Sequence, residues 1–598
     1  MDIKDLSLTE KEQQLILADA DDMLNGQYRF NGVWDMEPCS VPVKNDPIQW
    51  DMTYQGDKEW IYMFTRMDYL YKLLIAAQLS GEKKYIDHGL KIIDAWFDRN
   101  FYSYHQGDNW LQIRAKARAA QIKKMIIGEK RNLSNRTLDV SIMIANVIDY
   151  LLFCENRGYI GTQVLKAYQK KLHIVSEKLF RLSETANKSL LNWGIIENAN
   201  ILYCMCRADC DFDKKKVYER LVRQVYNQLN ANGSQIESSP MYLVQILLVL
   251  LKVIRCENNP YKEELIKPVR QGCAYIASIR RPDFRIPNLG DSDLTDISDL
   301  MIIAGHVLDD DNLLCCADRA LDPEYRFKYQ LPASYTPKKP EQDRSPKTIA
   351  YPDQTIYRGA AGSYLLCSNI AKRVDGHKHY DYLSILFCMD GKDILADAGR
   401  YSYKNDADRK YFIGEKAHNT VSIKSLSYFE TVPDSSWQTK QMIECRENKV
   451  IADGDHFSVG MLCVLGFSEI TVRRYVTLVP DKGLLITDMV DSDKPEQYTA
   501  FFNIGKTFSV RNDAGMTVLC DPEMCLYYHN DRQILPVTEE AAFSEKYNEK
   551  FTSSRLVINT SESAITHCIL KSRDPVSVSY NSGLIQYRVD NEIIEIPT

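Results

Sequence analysis

"LPASYTPKKPEQDRSPKTIAYP", residues 331–352, is a seam between two kinds of text. Pro332, Pro337, Pro340 and Pro346, set among charges, interrupt any regular element and mark a linker. On its N-terminal side, from residue 60 to about 325, apolar residues recur every three or four positions. "EWIYMFTRMDYLYKLLIAAQLSGEKKYIDHGLKIIDAWFDRNF" (59–101) is typical, with Ser80-Gly81 as a break. Comparable amphipathic segments follow at 110–127, 138–156, 161–185, 193–207, 213–230, 240–256, 262–279 and 296–306. Many helices joined by short loops, with no strand text between them, predict a helical toroid or solenoid. No tight repeat names an array.

Beyond the seam the period becomes two: "SEITVRRYVTLVP" (468–480), "GLLITDMV" (483–490), "QYTAFFNIG" (497–505), "TVLCDP" (517–522) and "SSRLVINT" (553–560). Strands separated by Gly, Asp and Pro turns predict a large antiparallel β-sandwich. The expected organisation is multidomain, α then β. Residues 1–330 form the helical domain, with an extension over about 1–58, residues 331–352 the linker, and 353–598 the sandwich.

A chain of 598 residues is too long for one core. Its formal charge of −7 argues against a nucleic-acid binder but leaves room for a local basic cleft. The start, MDIKDLSLTEKEQQL, places acids where a signal peptide needs a basic, then apolar, run. The stretch MYLVQILLVLLKVI (241–254) is too short to span a bilayer. These features predict a cytoplasmic chain with no membrane partner. Sixteen scattered cysteines fit a reducing compartment better than a disulfide framework. The one cluster, Cys204, Cys206 and Cys210, sits in helical text and is expected to pack.

Chemistry concentrates where the β half opens. GHKHYD (376–381) carries His377 and His379, ILADAGRYSY (394–403) carries Asp397, and DRKYFIGEKAHNTVSI (408–423) carries Arg409 and His418. If GHKHYD is a strand, His377 and His379 share a face, as metal ligands, a catalytic pair or a surface coincidence. Two histidines and a carboxylate make a common zinc set, which His379, Asp397 and His418 can supply. In the helical half, Asn192 precedes a helix as a cap would. Ser239 and Pro240 read as cap and first helical residue, leaving Gln235 and Glu237 unexplained. Gly290, Asp291 and Asp293 read as a turn with a capping Asp.

Taken together, these stretches resemble the heparinase II/III-like polysaccharide lyases. GHKHYD, ADAGRYSY and RKYF…AHNT correspond to that family's motifs at the start of its β-domain. YRFNGVWDMEP, GDKEWIYMFTRM, NWLQIRAKAR, NGSQIESSPMY and PNLGDSD look like versions of its helical segments, in the same order. WDMEP and EWIYMFTR are most similar to the heparinase III type. The resemblance implies an (α/α) toroid followed by antiparallel β-sheets, and β-elimination on an acidic uronate glycan of heparan sulfate or heparosan type. Hyaluronan, chondroitin and alginate are alternatives, as are a hydrolase using Glu197 and Glu237 or a binding protein that keeps the scaffold.

It further implies that Asn192 neutralises the uronate carboxylate and that Tyr242 protonates O4, also serving as base in a syn course. His377 would be a second base or neutraliser and Arg409 a cationic support. His379, Asp397 and His418 would hold a structural metal, zinc by donor type, although one metal shared by His377 and His379 also fits the alternation. Gln235, Glu237, Arg118 and Lys378 become candidate sugar contacts, with Trp34, Glu59, Trp60 and Arg66 as possible canyon lining. The chain departs from the family pattern at Leu243, Ala398 and Lys378, the last expected to put a cation beside the cleft.

Overall fold

The capping box at Thr9, whose side chain accepts from the Glu12 N–H while Glu12 reaches back, starts the first helix of the computed structural model, Glu10–Leu24. The structure describes residues 8–98, 135–183, 186–331, 346–359, 362–371, 376–426, 443–465, 470–513, 515–590 and 592–598. Two units result. The first comprises residues up to 229, 245–270 and 298–338; the second comprises 230–244, 271–297 and everything from 339 onward. Two stretches that read as part of the helical half therefore belong with the β region. The proposed linker is also shorter at its far end, because Lys347–Ala350 is already a strand.

In the first unit the predicted periodicity becomes helices that bury one face or nearly all of themselves. Leu70–Ser80 buries its first eight residues and ends at Gly81, whose left-handed φ of 74° stops the helix. Thr137–Asn156 passes the length and composition test for a membrane span, yet 72% of that window is buried, as in a core helix. The N-terminal extension holds an unpredicted hairpin, Gln27–Phe30 with Cys39–Lys44. Charges cluster inside this unit. Arg66 bonds Asp139 and Glu37, and Arg136 bonds Asp139 and Glu59. Burial pushes the Glu59 carboxyl up to about 8, against the pull of Arg136.

The second unit is built from antiparallel sheets. Eight strands follow the order Ser509–Asp513, Met516–Cys520, Cys525–Asn530, Ala564–Leu570, Gly483–Ser492, Ile470–Val479, Phe457–Leu465 and Ile443–Asp453. Period two sorts the side chains of this sheet. Val472, Val476, Leu484, Ile486, Ile565 and Ile569 face one core shared with a five-stranded and a four-stranded sheet. Tyr475, Val479, Leu485, Cys568 and Leu570 face another, closed by the three-stranded sheet of residues 577–597. The middle strands of this sheet are thus covered on both faces, while the outermost strands Ser509–Asp513 and Ile443–Asp453 remain exposed or half-buried. Across one hairpin Cys520 and Cys525 form a disulfide, which the scattered cysteine pattern did not suggest. Cys204 and Cys206 are buried in the helix Asn192–Arg207 and Cys210 lies just beyond it, as packing predicts.

Candidate functional site

Tyr242 lies in the first turn of the helix Pro240–Arg255, within the second unit. Proline suits the first helical position because its missing N–H needs no partner. Ser239 stands where a cap would, but its hydroxyl bonds the Asp291 carbonyl and pairs with the Ser292 hydroxyl at 2.9 Å. Ser292 accepts from the Met241 N–H instead, so the loop 287–293 caps this helix from outside.

That loop also organises the histidines. GHKHYD is not a strand; the strand begins at Ser384. Both rings nonetheless reach one carboxylate: His377 Nδ1 lies 2.9 Å from Asp291 Oδ2 and His379 Nε2 lies 2.8 Å from Oδ1. Arg409 grips the same carboxylate at 2.5 and 3.0 Å. Burial pushes the Asp291 carboxyl up, but Arg409 and the two imidazoles outweigh it and hold the group well below the usual range. The capping Asp of the sequence reading is therefore the hub of the site.

The next acid works in parallel. Asp293 takes a two-pronged ion pair from Arg400 at 2.7 and 3.0 Å. Arg400 donates to the Tyr403 hydroxyl at 2.9 Å, and that hydroxyl lies 2.8 Å from the Tyr242 hydroxyl. The Tyr242 ring stacks on His377 with centroids 3.4 Å apart and planes at 14°. Arg409 lies 5.0 Å over the Tyr403 ring. Tyr242, His377 and Arg409 are thus brought together as expected, while Arg400, Tyr403, Asp291 and Asp293 complete the group. Arg409 has its charge matched by Asp291.

Gly290 makes the arrangement possible. Its φ is +55°, and a Cβ there would stand 2.5 Å from the His377 carbonyl oxygen. The same oxygen accepts the Asp291 N–H at 2.9 Å. Gly290→Ala is expected to cost about 1–3 kcal/mol through backbone strain. By displacing His377 it should also lower kcat by about a hundredfold. Thermal melting and kinetics on one sample check both.

The other predicted residues divide. Gln235 and Glu237 are buried and bonded to one another, with Glu237 Oε2 accepting from Gln235 Nε2 at 2.9 Å. A Cβ on Gly376 would lie 3.5 Å from Glu237 Oε1, so this acid borders the residue before His377. Lys378 is not a cation beside a cleft: it is buried in an ion pair with Asp381. Arg118 lies outside the described residues. Asn192 belongs to the first unit, where it is buried as the first residue of its helix; Leu191 holds the cap position without a side-chain bond, so capping does not explain Asn192. In that unit Trp34, Glu59, Trp60 and Arg66 are buried. Glu197 is saturated by Lys188, Thr137 and Ser183, a poor start for a hydrolase acid.

The expected metal triad is only partly assembled. Among the described residues no three His, Cys, Asp or Glu side chains are arranged to hold an ion. Asp397 orients His418 by accepting from its Nδ1 at 2.7 Å, and takes the Gly399 N–H on its other oxygen. Two buried nitrogens, His379 Nδ1 and His418 Nε2, are left without hydrogen-bond partners, on rings whose centroids are 5.3 Å apart. Each imidazole is held through its other nitrogen by a carboxylate, the way metal-binding histidines are commonly oriented. The two bare nitrogens are imidazole donors of the kind a divalent metal takes, with no third side-chain donor arranged beside them among the described residues.

Family models match most of the chain: "Heparinase II/III N-terminus" over residues 2–306 and "Heparinase II/III-like, C-terminal" over 345–580. No curated protein matches. Among solved structures, one described as heparinase III superposes with a TM-score of 0.74 at 16% identity, covering 100% of this chain and 92% of that one. A mutant of the heparan sulfate lyase HepC from Pedobacter heparinus gives 0.63 at 14%, covering 100% and 90%. The Streptomyces coelicolor A3 chondroitin AC lyase in complex with chondroitin sulphate gives 0.53 at 10%, covering 97% and 84%. With both of its halves matched by the two family models, the chain belongs to the heparinase II/III-like family of polysaccharide lyases.

Proposed function

We propose that this lyase cleaves a uronic-acid-containing glycosaminoglycan, of heparan sulfate or heparosan type, by β-elimination. A 4,5-unsaturated uronate is left on the new non-reducing end. The observation that carries the reading is the Tyr242 hydroxyl, hydrogen-bonded to Tyr403, with its ring on His377 and two guanidinium groups close by. Elimination requires loss of the C5 proton and protonation of the departing O4. In a syn course Tyr242 does both: its oxygen takes the C5 proton and returns a proton to O4.

Before it takes the C5 proton, and again once it has given a proton to O4, the oxygen carries negative charge. Arg400 and Arg409, both electrostatically coupled to Tyr242, stabilise that charge. Arg400 acts through the Tyr403 hydroxyl. His377 is the second base. The uronate carboxylate must be neutralised for the enolate-like intermediate to form, and the family resemblance gives that task to Asn192. Gln235 and Glu237 remain candidates for sugar hydroxyls. The acidic glycans named for the heparan sulfate and chondroitin lyases of the same fold support an acidic substrate here.

The test is a panel of uronate glycans, followed by the ultraviolet absorbance of the conjugated double bond. A rise on heparosan or heparan sulfate is expected. A rise only on hyaluronan, chondroitin or alginate would move the substrate, and new reducing ends without absorbance would sink the elimination.

His379 and His418, with Asp397, are proposed to hold a structural divalent metal, zinc by donor type. When bound it would satisfy two buried nitrogens and tie the loop carrying His377 to the segment carrying His418. Elemental analysis is expected to find about one zinc per chain, lost in His418→Ala together with several degrees of melting temperature. A metal-free protein with an unchanged melting temperature in that variant would refute it.

A further inference from the structure

We infer that Asp291 is a positioning residue for the elimination, holding His377 in one tautomer and one orientation through the Nδ1–Oδ2 hydrogen bond. The inference rests on the proposed role of His377 as a base. Four donors converge on this carboxylate: His377 Nδ1 at 2.9 Å, His379 Nε2 at 2.8 Å, and Arg409 at 2.5 and 3.0 Å. A carboxylate only accepts, so His377 Nδ1 carries its proton, and in the neutral ring the lone pair falls on Nε2. A flipped ring would put a carbon against Oδ2 and forfeit the bond.

Asp291 cannot easily turn to follow such a flip. The guanidinium fork of Arg409 engages both oxygens and fixes the carboxylate plane. The Asp291 N–H also holds the His377 carbonyl at 2.9 Å, so one residue grips His377 by ring and main chain. Tyr242 stacks on that ring at 3.4 Å and takes its own plane from it. Both groups assigned to proton transfer therefore derive their orientation from Asp291.

Two measurements test this. In the full chain labelled with nitrogen-15 histidine at about pH 9, where ordinary imidazoles are neutral, the His377 ring should show a protonated Nδ1 and an unprotonated Nε2. The assignment comes from comparison with His377→Gln. The opposite tautomer, or a mixture, overturns the inference. In kinetics, Asp291→Asn should lower kcat about a hundredfold with KM within about threefold. In a His377→Ala background the same change should cost no more than about tenfold, because the part that acts through the ring is gone and only the part through Arg409 remains. Equal losses in both backgrounds overturn it. If Asp291→Asn does not fold, the tautomer in the unsubstituted chain decides alone. Failure to cleave any glycan would remove the proposed reaction and leave the tautomer result standing, so the two failures are distinguishable.

Discussion

Tyr242→Phe loses about a thousandfold in kcat, within the usual range for deleting a proton-transferring group, and keeps KM nearly unchanged. The substitution removes one oxygen and retains the ring, so the stack on His377 survives. The partner hydroxyl of Tyr403 keeps the hydrogen bond it accepts from Arg400. Stability should therefore change by no more than about 1 kcal/mol, and a melting curve alongside the kinetics separates lost chemistry from lost fold. Tyr403→Phe provides the contrast. It cuts the link through which Arg400 reaches Tyr242 but leaves Tyr242 able to move a proton, so about a tenfold loss is expected. Should Tyr403→Phe prove the more damaging, the proton-transfer role belongs to Tyr403, and Tyr242 merely presents it.

This pair also shows what the sequence made legible. Tyr242 and His377 were readable because each sits in a motif with an order along the chain. The partition into helices and strands was readable because the hydrophobic period changes from about 3.6 to 2 across residues 331–352. Tyr403 and Arg400 lay in a quoted stretch without standing out, since an Arg and a Tyr three residues apart carry no pattern of their own. Asp291 was misread for a related reason. An acid after a glycine has a sufficient local explanation as a turn, and only tertiary structure reveals that four donors from 377, 379 and 409 meet on it. Lys378 failed in the opposite direction: a lysine is taken as exposed until a buried Asp381 is found beside it. The hairpin at Gln27–Phe30 and Cys39–Lys44 was hidden because strands this short, the second with four of its six residues exposed, leave little periodicity to detect.

The deeper support of the site lies in the sheet beneath it, and there the largest effect on stability is expected. Arg474 and Asp488 are register partners on adjacent strands, both fully buried, joined at 2.6 and 2.8 Å. Arg474 also donates to the carbonyls of Leu383, at 3.0 Å, and Asn419, at 2.7 Å. Leu383 closes the segment that carries His377 and His379, and Asn419 follows His418, so one guanidinium ties both to the central sheet. Asp488→Ala leaves that charge buried without its carboxylate and is expected to cost about 3–5 kcal/mol. Arg474→Met with Asp488→Leu removes both charges, and the double variant should be more stable than either single one. Burial raises the Asp488 carboxyl, but Arg474 prevails and brings it from 3.8 down to about 2. A depressed folded value means the pair contributes fully above about pH 4 and is lost as pH falls toward 2, a difference of about 2 kcal/mol. Denaturation midpoints across that window should therefore fall more steeply in the native chain than in the double variant. Parallel pH slopes would show that the pair is not ionised in the folded protein, and the pinning of both histidine segments would have to come from packing alone.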